Sequence, residues 1–299
     1  MAVTIFIDEN NYERKAMAIL RVNMNLRLIG ETGVGKSTIV QFLSEKHKWD
    51  LYEYALSTDT SRWDLLAQDI LQSDGKGGVS TTQRKGRILE WLMSTKSGGD
   101  KSRYQVLFLD ELNYAQPGVL TILNMLADFR KKVYISELES SKLLKELKMD
   151  EPVFVRSDKH YLIVGMNPAE RAGYSGTFTM NIAQLRRFES LELGYLSQQA
   201  ESRLLETQTK CSHEQAMKYV AMAGQTRALY RVGRLSTPIT TGNLLNYARL
   251  EVQEKLKDHE IAEIMGAMYL QTERDTVNAL WKGKTSAEQI MKEEETMQD

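Results

Sequence analysis

The chain has 299 residues, 42% hydrophobic and 26% charged, and 39 basic against 40 acidic side chains leave a formal charge of −1. That balance excludes a disordered chain and gives no whole-chain basic footprint for nucleic acid, while a single cysteine, Cys211, excludes a disulfide scaffold or a cysteine-based zinc site. No apolar run approaches the ~18 residues of a membrane span, and the N-terminus turns acidic at Asp8, too soon for a signal peptide, so the expected compartment is the cytoplasm.

In chain order, the apolar run 26–29 reads as a buried strand ending at Gly30, and 38–46 as a helix. A second strand is expected at 51–56. Helices are expected at 63–72 and 84–94, the latter from Ile88, Leu89 and Leu92, with a glycine-rich loop at 73–80 between them. The run 106–109 is a strongly apolar strand that delivers Asp110 and Glu111. A helix at 119–130 follows, then a buried strand at 161–165 leading to Asn167 and Pro168, and a last strand at 191–195. From Ser197 onward only helical patterns appear. Strands alternating with helices predict an α/β fold with a parallel sheet. The division expected is a nucleotide-binding core at 1–196, a smaller all-α domain at 197–290 and an acidic flexible tail at 291–299. Four prolines in the whole chain fit long helices, and no Pro/Gly/Ser linker separates the domains.

Residues 30–37 read GETGVGKS, the Walker A pattern G-x-x-x-x-G-K-[ST]. Gly30, Gly33 and Gly35 let the backbone curl around an anion, so that the N–H groups of Glu31, Thr32, Val34 and the residues through Thr38 face phosphate. The helix that follows adds its positive end. Lys36 is placed to reach the β- and γ-phosphates, and Ser37 to supply a hydroxyl to Mg²⁺. The strand before the loop and the helix after it are the context this motif requires.

A second motif, VLFLDELN at 106–113, carries Asp110 to the C-terminal end of a buried strand, where α/β sheets bind ligands. Asp110 is the expected holder of Mg²⁺, and Glu111 the residue that activates the attacking water. A glutamate directly after the Mg²⁺ aspartate points to hydrolysis rather than phosphoryl transfer to a metabolite.

Together these motifs resemble the AAA+ ATPases, and among them the MoxR-like group that includes the CbbQ/NorQ, CobS and GvpN type ATPases. The stretch LDELNYAQPGVLTILNMLAD (109–128) is similar to that group's run from Walker B into the next helix, with Asn113 after the acidic pair. YLIVGMNP (161–168) resembles the sensor 1 strand, which makes Asn167 the sensor. AGYSGTFTMNIAQLRRF (172–188) resembles the run into an arginine finger, with Arg187 at the matching position and Arg186 beside it. FIDENNYERKAMAIL (6–20) resembles the segment that covers the adenine. The resemblance implies a P-loop NTPase αβα sandwich followed by a helical lid. It implies ATP and Mg²⁺ as ligands, assembly into a homohexameric ring, and work on a protein partner, such as one bearing a von Willebrand A domain.

Two departures accompany it. Gly242 stands where a lid sensor arginine is expected, with Arg249 nearby as a replacement, and 133–160 is longer than the group's hairpin, with SSKLLKELKM (140–149) reading as a short amphipathic helix. Arg227, Arg231 and Arg234 share one helical face, read as a solvated, inter-subunit or nucleic-acid face. His47, His160, His213 and His259 show no ligand spacing. The function expected is therefore a ring ATPase that remodels or activates a protein, by chaperone action or by metal or cofactor insertion. The alternative is a motor acting on DNA.

Overall fold

The computed structural model describes residues 5–73, 79–94, 102–139, 142–168 and 182–298. The chain divides into two compact units. Among the described residues the first holds those within 5–30, 35–168 and 182–193, and the second those within 31–34 and 194–298.

The first unit is built on a five-stranded sheet. Its strands are β1 (Asn25–Ile29), β2 (Asp50–Ala55), β5 (Gln105–Asp110), β8 (His160–Met166) and β9 (Phe188–Glu192), in the spatial order β2-β5-β8-β1-β9. Every pair in it is parallel. The central strands β5 and β8 are buried along almost their whole length, the pattern of a parallel strand covered on both faces, which is why QVLFLD and HYLIVGM read as apolar runs rather than alternating ones. Helices Tyr12–Arg21, Lys36–His47, Arg87–Met93 and Pro117–Leu126 accompany the sheet. Pro117 opens the last of these at a position where its missing N–H costs nothing. Leu107, Leu109, Leu123, Leu126, Leu162 and Val164 belong to one apolar core.

Four expectations for the first unit need correction. Segment 63–72 is helical only over Arg62–Leu65, where Ser61 and Asp64 form a capping box, and then becomes strand β3 (Ala67–Ser73). It pairs antiparallel with β4 (Val79–Lys85), setting Ile70 opposite Thr82 and Leu71 opposite Thr81. The helical spacing of its leucines is overridden by a partner rich in β-branched residues. The helix expected from 84 accordingly begins only at Arg87. It starts after Gly86, where any Cβ would overlap the backbone of Leu65. Residues 74–78 of the glycine-rich loop lie outside the described residues.

The third correction is the last strand, which runs Phe188–Glu192 rather than 191–195. Its exposed Glu189, Ser190 and Glu192 hid it from a search for apolar runs. The fourth is the helix expected over 119–130, which stops at Leu126 and gives way to a turn in which Asp128 accepts hydrogen bonds from Arg130.

The long segment before β8 forms an antiparallel pair, β6 (Lys132–Tyr134) with β7 (Val153–Val155). The pair encloses a 3₁₀ turn at Ser136–Leu138 and a helix at Lys142–Glu146. Leu138 and Leu143 bury in the core of the first unit.

In the second unit the described residues from 194 onward contain helices Gln198–Thr209, His213–Arg231, Thr241–Gln253, Asp258–Gly266, Gln271–Trp281 and Ala287–Gln298, with no strand among them. Ser197, Ser212 and Thr240 cap three of these helices through their side chains. Leu205, Tyr219, Ala223, Leu244, Met265 and Leu280 form a separate core. The last helix continues through the segment read as a tail. Arg227 does not lie on a solvated face. It is buried, forms a bidentate ion pair with Glu201 (2.8 and 2.8 Å), donates from Nε to the Ile239 carbonyl, and stacks on Tyr195. Arg231 remains half exposed, 3.5 Å from Glu31.

Candidate nucleotide site

The turn from β1 into helix Lys36–His47 is the glycine-rich loop. Gly33 (φ +78°) and Gly35 (φ +97°) occupy the left-handed region, which is open to glycine at little cost. The Gly30 N–H donates to the Met166 carbonyl at 3.2 Å and so fixes the start of the loop against β8. The helix has no side-chain cap at Gly35 and no acidic residue in its first turn, leaving its positive end uncompensated. Phe6 lies against Gly35 and packs on Phe42. In the second unit, Glu31 meets Arg231, the Thr32 carbonyl accepts from Tyr195 Oη at 2.7 Å, and Thr240 abuts Gly33 so closely that a Cβ there would overlap it.

Lys36 is buried. Its Nζ donates to the Gly30 carbonyl at 2.9 Å and to Asn167 Oδ1 at 2.8 Å. Burial lowers its pKa, opposed by the negative charges of Glu111 and Asp110. Asn167 lies one residue beyond β8 and donates from Nδ2 to Glu111 Oε2 at 2.9 Å. One amide thus touches both the cation and the carboxylate. Burial raises the Glu111 pKa and Asp110 adds to the rise, against the pull of Lys36 and the Asn167 hydrogen bond. Glu111 is left-handed (φ +55°), an uncommon conformation for a non-glycine residue, at the turn from β5 into the 3₁₀ helix Leu112–Tyr114.

Asp110 ends β5. Its Oδ2 accepts from Ser37 Oγ at 2.5 Å and its Oδ1 from the Glu111 N–H at 2.9 Å. Gly165 on β8 makes room for it, since a Cβ there would overlap Asp110 Oδ1. A hydroxyl and a carboxylate are hard oxygen donors, a set that fits a small divalent cation such as Mg²⁺.

The structure therefore brings Lys36, Ser37, Asp110, Glu111 and Asn167 together at the C-terminal ends of β1, β5 and β8. A further member is Asn113, which the sequence marks by its place after the acidic pair. Asn113, buried in the 3₁₀ turn Leu112–Tyr114, donates to the Asn167 carbonyl at 3.1 Å and accepts from the Asn167 N–H at 2.6 Å. The only sequence signal for it is a polar residue following the acidic pair inside an apolar stretch.

Arg187 lies elsewhere. Register pairs Phe188 with Asn25, so Arg187 sits at the N-terminal edge of the sheet. The glycine-rich loop begins at the opposite end of β1, a strand length of roughly 16 Å away at ~3.3 Å per residue. The Arg187 N–H donates to the Gln184 carbonyl, its own carbonyl accepts from Asn25, and its charge acts on Asp128. Arg186 is exposed. Residues 172–181 of the run before them lie outside the described residues. Gly242 is exposed, and Arg249 donates to Gln208 at 3.4 Å. No cluster of three or more metal-ligating side chains occurs among the described residues, and no described helix is long and apolar enough to cross a membrane.

The sequence profile of the AAA domain (dynein-related subfamily) matches residues 25–188. An uncharacterized protein of Staphylococcus saprophyticus is 25% identical over 238 residues, 79% of this chain and 81% of its own. One of Staphylococcus epidermidis is 25% identical over 222 residues, 74% and 75% of the two chains. Among solved structures, a Cytophaga hutchinsonii chain provisionally named an ATPase aligns with a TM-score of 0.47 and 15% identity. That alignment covers 88% of this chain and 64% of that one, so this chain spans less than two thirds of its length.

Proposed function

This chain belongs to the AAA domain family, dynein-related subfamily, and from that premise we propose that it is a Mg²⁺-dependent ATPase of MoxR type, assembled as a homohexameric ring, that couples hydrolysis to remodelling or activating a protein partner. ATP hydrolysis is the chemistry of the family. The Mg²⁺ requirement, the ring and the partner are the proposal.

The observation that carries it is the Asn167 amide shared between Lys36 and Glu111. Lys36 supplies the positive charge that phosphate oxygens need. Glu111, with its pKa raised by burial, is a stronger base than an ordinary glutamate and takes the proton of the attacking water. Asn167 orients that water and senses the γ-phosphate. Ser37 and Asp110 would hold the divalent cation, which when bound would supply charge neutralisation at the phosphates.

Arg187 supports the ring. Lying a strand length from its own phosphate loop, it serves as a finger only toward a neighbouring copy's nucleotide. Such an arginine is worth about 10³-fold or more in turnover. Of the three arginines the DNA-motor alternative draws on, Arg227 is committed to Glu201.

The test combines assembly with capture. The Glu111→Gln variant in ATP is expected to sediment as a ring and to retain a protein partner that the ADP form releases. A monomer at saturating ATP, or turnover raised by DNA in a salt-sensitive way and by no protein, overturns the proposal.

A further inference from the structure

At the base of the sheet lies a buried polar cluster with no part in the phosphate chemistry. Arg156 is 6% exposed and forms no ion pair with a carboxylate among the described residues. Its guanidinium instead donates to three oxygens: Nη1 to the Leu126 carbonyl, and Nη2 to the His160 carbonyl and to Asn25 Oδ1, both at 3.1 Å. Its Cζ lies 5.2 Å from the centre of the Trp91 ring. The Leu126 carbonyl belongs to the C-terminal end of helix Pro117–Leu126, where helix carbonyls lack partners and the helix dipole is negative. A buried cation without an acid partner is accounted for there.

Arg156 fixes the orientation of Asn25. A guanidinium only donates, so the Asn25 oxygen must face it and the Asn25 amide N–H groups must face the other way. There they donate to the Ala127 carbonyl at 3.1 Å and to the Arg187 carbonyl at 2.9 Å. One side chain at the start of β1 therefore fastens the main chain of Arg187 to the end of the helix that follows Asp110 and Glu111. The sequence offers no reason for a buried asparagine at the start of an apolar strand, and this bond supplies one.

We infer that Asn25 and Arg156 are positioning residues for Arg187: Arg156 locks the Asn25 amide, and the amide holds the Arg187 backbone where its side chain projects toward a neighbouring copy. The inference rests on the reading of Arg187 as a finger acting in trans. A group that must meet a phosphate in another subunit loses about 10²-fold in rate for a displacement near 1 Å, so its backbone needs an anchor beyond the strand register.

The decisive variant is Asn25→Asp. Its carboxylate still accepts from Arg156, now as an ion pair that offsets part of the lost hydrogen bonding, and the protein is expected to fold. It loses both donors and sets a negative oxygen against the Arg187 and Ala127 carbonyls. Turnover is expected to fall about 10²-fold with the KM for ATP near wild type and, because two buried hydrogen bonds are lost, a lowered melting temperature, so that turnover is read well below the transition. Because the defect lies in the donated finger, mixing with Lys36→Ala subunits, which carry an intact Asn25 and Arg187, is expected to restore turnover at the Asn25→Asp sites. A merely structural lesion is not rescued this way. Arg187→Ala, alone and mixed with Lys36→Ala, runs in parallel. If Arg187→Ala keeps wild-type turnover, the trans-finger reading fails and the inference with it. If Arg187→Ala is inactive and rescued while Asn25→Asp turns over normally or is not rescued, the positioning role alone is overturned. Should Asn25→Asp not fold, Asn25→Ser, which also removes the amide donors, is read by the same criteria.

Discussion

Asn113 grips Asn167 by both of its main-chain polar groups, donating to its carbonyl at 3.1 Å and accepting from its N–H at 2.6 Å. The clamp leaves the Asn167 side chain to bridge Lys36 and Glu111, and makes Asn113 a support for two charged groups it does not touch.

Asn113→Ala removes two buried hydrogen bonds and is expected to cost about 1–3 kcal/mol of stability, with the Asn167 backbone groups left unpaired. With Asn167 loosened, kcat is expected to fall about tenfold or more, while ATP binding stays close to wild type. Chemical denaturation and steady-state kinetics measure the two effects. A variant that is destabilised yet hydrolyses ATP normally would show the clamp to be structural only.

Glu111 must be ionised to accept a proton, and burial holds its pKa above the ordinary glutamate value. The kcat profile is therefore expected to fall on the acid side at a higher pH than a solvent-exposed glutamate of pKa about 4.3 would give. Asn167→Leu removes a hydrogen bond that lowers this pKa, so the acid limb is expected to move further up. A limb that stays in place or moves down contradicts the assignment of Glu111 as base.

Gly165→Ala places a methyl group where Asp110 Oδ1 now lies, with Phe108 on another side. Overpacking of this kind costs about 1–3 kcal/mol, and Asp110 must move away from Ser37. Loss of Mg²⁺-dependent ATPase activity, with folding retained in circular dichroism, is the expected result. Unchanged activity would mean that Asp110 can be shifted without consequence.

His160 is buried behind Trp91. Its Nδ1 accepts from the Ser157 N–H, so Nε2 carries the proton and faces the Trp91 carbonyl. Burial depresses its pKa from 6.5 to about 4. The folded state favours the neutral ring, so the His160 contribution is complete above pH 6.5 and is lost as the pH falls through about 4. A shift of this size corresponds to about 3 kcal/mol. Melting temperatures between pH 7 and pH 4, measured for wild type and His160→Gln, are expected to show a shallower acid decline in the variant. Parallel curves would refute the claim.

The sequence pattern made the alternating strands and the two acidic and glycine-rich motifs legible, because each depends on local residue types: glycines where φ is positive, apolar runs where a strand is covered on both faces. Residues defined by distant partners were not legible. Asn25 and Arg156 acquire meaning only when β1, β8 and the end of helix Pro117–Leu126 converge. Arg227 looked like a surface residue because Glu201 and Ile239 are remote from it in sequence. The β3–β4 hairpin escaped because the helical spacing of Leu65, Leu66 and Ile70 is a local signal that cross-strand pairing outweighs.

The most direct test of the central claim compares ATP affinity and single-turnover hydrolysis in wild type, Lys36→Ala and Glu111→Gln. Lys36→Ala is expected to lose ATP binding, and Glu111→Gln to keep near-normal binding with hydrolysis slowed by about 10²-fold or more, the loss typical of a removed general base. Wild-type hydrolysis in both variants would show that the chemistry is performed elsewhere.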